Sequence, residues 1–345
     1  MLRRRGWLLL LSLLAAPVRA EVPARPEPVP PGSWPARLLQ PQSYLRPLRA
    51  ARRTLEAQGG LLRLRPDLLT ILVPDLHGRR DYLDAVLRTR DPELGQSYRA
   101  LLAQGRVQLV CLGDVMHSEH RGSLWRRGMP DEAMALEMGE SLGTLTRVAN
   151  LQHRYPGLVH LLRGNHDDVG PLAPVAGQNL PLQVRRTREF LGARFGEAFV
   201  GELARFFAAL PIAASGPGFV LAHSAPMFSI GRDEVERRAE RATVSLTRAR
   251  MPSFDQLRRQ SQGPADAAAG LERALGELGL GGPAQLFIHG HLWASPLEVR
   301  GREVWFGHLE DQTFLRLDPR RPLEPWNQLH EAGSGKRVPV PVPAP

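Results

Sequence analysis

The sequence predicts an α/β fold with its functional residues along one edge of the strands, and three observations lead there. Short apolar runs recur at Leu69 to Val73, Val107 to Leu112, Leu158 to Leu162, Phe219 to Leu221 and Leu286 to Ile288. Runs of this length read as buried strands. Each is followed by a side chain able to bind metal: Asp75 and His77, Asp114, Asn165 and His166, His223, and His291. Helical text separates them, with an amphipathic stretch from Asp131, another from Asp266 to Leu278, and Arg-rich text from Ser43 to Gln58 at the start of the domain. Strand ends would therefore hold the donors in one row, where open α/β folds place their sites.

Oxygen and imidazole donors in this order describe a two-metal hydrolase. Two divalent cations about 3.5–4 Å apart repel each other, so a shared carboxylate must lie between them, with imidazole, carboxylate and amide oxygen completing each shell. Asp114 is the expected bridge. Asp75 and His77 are expected at the first metal, and Asn165, His223 and His291 at the second. His166 remains for proton transfer. Mixed nitrogen and oxygen donors suit Mn, Fe and Zn alike.

The motifs are Asp75-Leu76-His77-Gly78, Gly113-Asp114, Gly164-Asn165-His166-Asp167, a single His223 after a strand, and Gly290-His291. In this order they resemble the calcineurin-like metallophosphoesterase superfamily, from about Leu69 to Leu317. Asp75-Leu76-His77-Gly78-Arg79 and Leu162-Arg163-Gly164-Asn165-His166 resemble its phosphoprotein-phosphatase-like branch. The last motif, Gly290-His291-Leu292-Trp293, lacks the second histidine of many phosphodiesterases and agrees with that branch. The resemblance implies two facing mixed β-sheets flanked by helices, with the metals at one end. It also implies direct attack on phosphorus by a hydroxide bridging two metals, with His166 protonating the leaving oxygen.

One motif departs. Where the branch reads Gly-Asp-x-x-Asp-Arg-Gly, this chain has Gly113-Asp114-Val115-Met116-His117 and reaches Arg121-Gly122 late. His117 stands where the acid that orients the catalytic histidine belongs. It is a further candidate ligand of the first metal, a partner for His166, or a solvated loop residue. Arg121 is the candidate phosphate clamp, with Arg126 and Arg127 nearby. Among the other histidines, His153, His160, His308 and His330 are read as core residues. His289 shares a strand face with His291, so parity alone leaves that pair open, and the register of the resemblance selects His291.

The chain's opening reads as an export signal over residues 1–20: Arg3, Arg4 and Arg5, an apolar stretch from Trp7 to Ala16, and small residues around Val18-Arg19-Ala20. The stretch is well short of the ~20 residues that span a bilayer, so no membrane anchor is expected after cleavage. A periplasmic or secreted protein follows, and Arg4-Arg5 leaves twin-arginine export open. Cys111, the one cysteine, sits within a strand and cannot form an internal disulfide. A Pro-rich linker is expected over 21–42, the metallophosphoesterase domain over 43–330 and a disordered Pro-rich tail over 331–345.

Net charge is +10, and loss of Arg3, Arg4, Arg5 and Arg19 with the signal lowers it to +6. That excess favours anionic partners. The basic residues are spread along the chain with few aromatics beside them, so no nucleic-acid partner is expected. Two segments interrupt the strand–donor rhythm, Ser118 to Thr146 and Ala225 to Gly282. They are candidates for substrate selection through Arg126, Arg127, Arg232, Arg237, Arg238, Arg241, Arg248 and Arg250, or for solvated helix faces. The expected function is hydrolysis of phosphate monoesters, with a nucleotide or phosphodiester hydrolase as the alternative and a non-catalytic binding protein of the same fold as a third reading.

Overall fold

The computed structural model describes residues 40–118, 131–169, 182–227, 229–247, 264–291, 296–307 and 312–340. The expected signal segment, Arg121, Arg126, Arg127, Arg248, Arg250 and His308 lie outside the described residues.

The five apolar runs all form strands. β2 (Leu69–Val73), β3 (Val107–Cys111) and β4 (Val159–Leu161) pair in parallel, and β10 (Thr313–Leu317) and β11 (Leu329–Glu331) extend them antiparallel, in the order β11-β10-β2-β3-β4. The other sheet contains β1 (Leu61–Arg63), β5 (Ala213–Gly216), β6 (Phe219–Ala222), β7 (Leu286–His289), β8 (Leu297–Arg300) and β9 (Glu303–Phe306). Its order is β1-β5-β6-β7-β9-β8, and parallel and antiparallel pairs are mixed.

Side-chain alternation explains why two sheets must face each other. In β2, Leu69, Ile71 and Val73 join one core while Leu72 joins another; in β6, Phe219 and Leu221 share the core of Leu72 while Val220 and Ala222 enter a third. Period-two strands with both faces apolar need cover on both sides. The shared core, with Leu72, Val110, Leu162, Leu221, Ile288 and Leu315, lies between the sheets. Outside the first sheet pack α1 (Pro41–Glu56), α2 (Arg80–Arg88), α3 (Tyr98–Ala103), α4 (Asp131–Arg154), α5 (Leu182–Phe195) and α6 (Glu197–Ala209). Outside the second pack α7 (Arg232–Glu236), α8 (Glu240–Thr247) and α9 (Pro264–Leu278). The result is the expected four-layer arrangement of helices, sheet, sheet and helices. No described helix is long and apolar enough to cross a membrane.

Both ends of the domain differ from expectation. Helix α1 begins at Pro41, inside the expected linker, because proline's fixed φ and missing N–H suit the first helical turn. Tyr44, Leu48, Ala51 and Leu55 line its buried face. At the other end, residues 331–340 are not a free tail. Glu331 N–H donates to Lys336 O (2.8 Å), Val338 N–H donates to Leu329 O (2.9 Å), and Val338 and Val340 pack against the inter-sheet core. Alternating Val and Pro sends both valines to one face of an extended chain, and that face has a core to cover.

A buried ion pair ties the first sheet to the loop after α2. Arg316 on β10, 4% exposed, donates from Nε to Asp91 Oδ2 at 2.7 Å, and its NH2 is 3.3 Å from Glu93 Oε2. Asp91 is fully buried and also accepts from the Glu93 and Leu94 N–H groups. Removing one member strands a desolvated charge. Arg316→Ala should therefore lower the unfolding free energy by ~3–5 kcal/mol, measured by denaturant titration at neutral pH; a loss below ~1 kcal/mol would place this pair with weak surface bridges.

Candidate metal centre

The donors gather where the C-terminal ends of the two sheets meet. β2 delivers Asp75 and His77, β3 delivers Asp114, β4 delivers Asn165 and His166, β6 delivers His223 and β7 delivers His291. Among the described residues two groups of ligand atoms result, Asp75-His77-Asp114 and Asp114-His223-His291, each within 4.8 Å, and Asp114 belongs to both. In the first, His77 Nε2 lies 4.0 Å from both Asp75 Oδ2 and Asp114 Oδ2. In the second, His223 Nε2 lies 2.8 Å from His291 Nδ1, 2.9 Å from Asn165 Oδ1 and 3.3 Å from Asp114 Oδ2.

Backbone carbonyls set which imidazole nitrogen faces the centre. His77 donates from Nδ1 to His117 O at 2.8 Å, and His223 donates from Nδ1 to Leu112 O at 3.2 Å. Each Nε2 is then left with its lone pair toward the carboxylates, the usual second contact of a metal-binding histidine. The motif turns are strained in a consistent way. His77, Asp114, His117 and His291 have φ of 44°, 45°, 64° and 71°, in the left-handed region that non-glycine residues rarely adopt. Such geometry costs about 1–3 kcal/mol each and persists only where neighbours enforce it. His77 N–H donates to Asp114 O (2.7 Å) and Gly78 N–H to Val115 O (2.9 Å). Buried Asp167 accepts from the N–H groups of Val115 and Gly164, both at 3.0 Å, and so binds the second motif to the third. Two motif glycines are there for space: a Cβ at Gly164 would overlap Asp114, and one at Gly290 would sit 2.5 Å from Asp75 Oδ1.

The electrostatics suit cations. Burial disfavours charge on Asp114, yet His223, His166 and His77 outweigh it and hold the carboxyl well below the ordinary range. Burial likewise opposes charge on His223, but Asp114 and Asp75 hold that imidazole well above its ordinary value, and a cation at Nε2 would take the place of the proton they favour. Desolvation, joined by the charge of Asp114, pushes Asp167 up to about 6. Asp75 Oδ1 is buried and lies 3.4 Å from His223 Nδ1, while Oδ2 of the same carboxylate accepts from His291 N–H at 2.9 Å. Carboxylate oxygens and imidazole nitrogens that converge out of water within 4.8 Å of one another are a donor set that a divalent cation completes. These residues fit the divalent ions that the sequence implies.

His166 sits at the rim, 8% exposed, with its N–H donating to Asp114 Oδ1 (2.8 Å) and its Nε2 4.0 Å from Asp114 Oδ2. His117 is fully buried, which rules out a solvated loop residue. Its Nδ1 is 3.1 Å from His166 Nδ1, its Nε2 is 2.7 Å from Thr187 Oγ1, and its N–H donates to Ser141 Oγ at 3.0 Å. It belongs to neither group of ligand atoms. Desolvation, with His166 adding to it, holds the His117 imidazole well below its ordinary value. His289 turns its nitrogens to Gly290 O (3.0 Å) and Glu303 Oε1 (2.9 Å), so His291 alone of that pair joins the centre. Among the histidines read as core, His160 and His330 are buried, whereas His153 is exposed on α4.

Arginines considered for substrate selection have structural duties. Arg238 donates to the carbonyls of Leu55, Gly59, Ala209 and Leu210, closing the ends of α1 and α6. Arg232 donates to Glu277 O and Gly279 O at the end of α9, and Arg241 pairs with Glu234 at 3.4 Å. Thr187, Ser141 and the bracing role of Asp167 carry no signal in the sequence beyond the last residue's place in the third motif.

Fold and side chains together define an α/β protein with a candidate divalent-metal centre where the ends of two sheets meet. The model of the calcineurin-like phosphoesterase family matches residues 69–316, and the chain belongs to that family, whose members bind divalent metals and hydrolyse phosphoric esters. No curated protein sequence matches it significantly. Among solved structures it is similar to a protein serine/threonine phosphatase from Saccharomyces cerevisiae with similarity to human phosphatase PP5. That match has 13% identity and a TM-score of 0.50, covering 81% of this chain and 84% of the other. Weaker matches are a mutant cold-active protein tyrosine phosphatase (13% identity, TM-score 0.38, 74% and 80% covered) and the cold-active protein-tyrosine phosphatase of a psychrophile, Shewanella sp. (14%, 0.34, 74% and 80%).

Asp114 is the carboxylate both groups share, so its charge matters more than its shape. Asp114→Asn should lose most bound metal and all measurable turnover, with helix content unchanged. Elemental analysis after dialysis against Mn, Zn or Fe checks this, and full occupancy with normal turnover would remove Asp114 from the bridge.

Proposed function

We propose that this protein is an exported phosphatase that hydrolyses phosphate monoesters at a two-metal centre. The observation that carries the reading is the pair of ligand groups sharing Asp114, with His166 Nε2 poised 4.0 Å from that carboxylate. Asp75 and His77 would hold one cation, Asn165, His223 and His291 the other, with Asp114 between. When bound, the cations supply a nucleophilic water near neutral pH and charge for the equatorial phosphoryl oxygens. Mn, Fe and Zn all suit the donors. His166 gives its Nε2 proton to the leaving oxygen. His117 orients His166 in place of the branch's acid, as its 3.1 Å contact supports, and Arg121 is the proposed phosphate clamp. The single histidine of Gly290-His291-Leu292-Trp293 supports monoesters over diesters. The arginines and apolar run of residues 1–20 support export to the periplasm or beyond, where a phosphorylated compound would be the substrate.

A panel of phosphoserine peptide, nucleoside monophosphates and bis(p-nitrophenyl) phosphate tests the substrate class. Hydrolysis of the diester alone would overturn the monoester reading.

His166→Ala should keep both metals yet slow alkyl phosphates by roughly 10²–10⁴, the usual contribution of a general acid. p-Nitrophenyl phosphate, whose leaving group needs little protonation, should lose far less, and equal losses on both would argue against proton donation.

His117→Ala separates the ligand and partner roles. The carbonyl that tethers His77 survives truncation, so metal content should hold while kcat falls and its pH profile moves. Loss of one metal equivalent by elemental analysis would instead make His117 a ligand.

A further inference from the structure

His166 can give a proton from Nε2 and end as a neutral imidazole only if Nδ1 keeps its own proton. That proton needs an acceptor. Among the described residues the atom facing it is another imidazole nitrogen, His117 Nδ1, which accepts only when His117 carries its proton on Nε2 instead. A neutral imidazole has one donor and one acceptor nitrogen, and which is which is set by what the other nitrogen touches. The opposite tautomer would send a proton from His117 Nδ1 to His166 Nδ1. His166 would then be neutral with its proton on Nε2, and giving it up would leave an imidazolate.

Among the described residues the group that touches His117 Nε2 is Thr187 Oγ1, at 2.7 Å. Thr187 is fully buried on α5, on one face with Val184 and Leu191, which are 1% and 0% exposed. Packing alone would be met at this place by valine, which has the same shape without the hydroxyl. A helical threonine hydroxyl can donate to the carbonyl one turn back, which leaves its lone pairs for an outside donor. The helix is anchored to the loop of His166: Arg188 donates to Val169 O at 2.9 Å, and Val169 is fully buried. Ser141 on α4 fixes the His117 backbone from the other side.

We propose that Thr187 is a positioning residue whose hydroxyl accepts the Nε2 proton of His117, fixing the tautomer in which His117 Nδ1 receives the Nδ1 proton of His166. The chain thus replaces a charged orienting group with a neutral imidazole and hydroxyl in series. The inference rests on the assignment of His166 as the proton donor.

Two measurements test it. In Zn-loaded protein labelled with ¹⁵N-histidine, the His117 ring should show a protonated Nε2 and an unprotonated Nδ1, and Thr187→Val should shift it toward the other tautomer. Against an alkyl phosphate, Thr187→Val should lower kcat by about tenfold, as expected for one buried hydrogen bond. KM and bound metal should be unchanged, p-nitrophenyl phosphate much less affected, and Thr187→Ser should restore most of the rate. A protonated Nδ1 on His117 in the native protein would overturn the proposal, as would equal losses on both substrates or a serine variant as slow as valine. Native protein that hydrolyses no monoester would overturn the proposed function instead, and the ring resonances would still decide the role of Thr187.

Discussion

A carboxylate buried in a protein interior is tolerated only beside compensating charge or hydrogen-bond donors, and the site is built around that requirement at Asp114. One oxygen takes the His166 N–H, the other lies 3.3 Å from His223 Nε2 and 4.0 Å from His77 and His166, and its carbonyl takes the His77 N–H. The left-handed backbone at Asp114 turns the carboxylate into this position, and Asp167 beneath it holds the two flanking turns together. Loss of any one of these contacts leaves a buried charge less well matched.

The sheets supply the rigidity this arrangement needs. Strands of both sheets are buried on two faces, so their ends cannot shift without disturbing two cores. The first sheet contributes Asp75, His77, Asp114, Asn165 and His166, and the second contributes His223 and His291. The contact of His291 N–H with Asp75 Oδ2 joins the two halves directly at the centre. Arg238 and Arg316 serve the same end farther away, one gathering the ends of two helices and the other fixing a loop to β10.

Residue 117 shows how one position links metal binding to proton transfer. Its carbonyl sets the tautomer of a candidate metal ligand, His77, and its ring contacts the proposed acid, His166. Substituting histidine for an acid removes a charge from the partner of His166. A neutral ring has two ends to satisfy where a carboxylate has a charge to offer, so the substitution draws a third residue, Thr187, into the arrangement.

The sequence by itself determined five of the strands, β2, β3, β4, β6 and β7, and the order of the candidate donors that follow them, because apolar runs, turns and ligand types are local properties of the chain. It also marked the glycines at 164 and 290, though only the structure shows the carboxylates that leave them no room for a side chain. Tertiary structure decided the rest. Burial of His117, its pairing with His166 and its contact with Thr187 join residues far apart in the chain, and no local pattern encodes them. The valines at 338 and 340 read as a free tail until an inter-sheet core is present to be covered. Arg238 reads as one basic residue among many, and becomes a clasp only where four carbonyls converge on it. Local chemistry specifies what each segment offers, and packing specifies which offers meet.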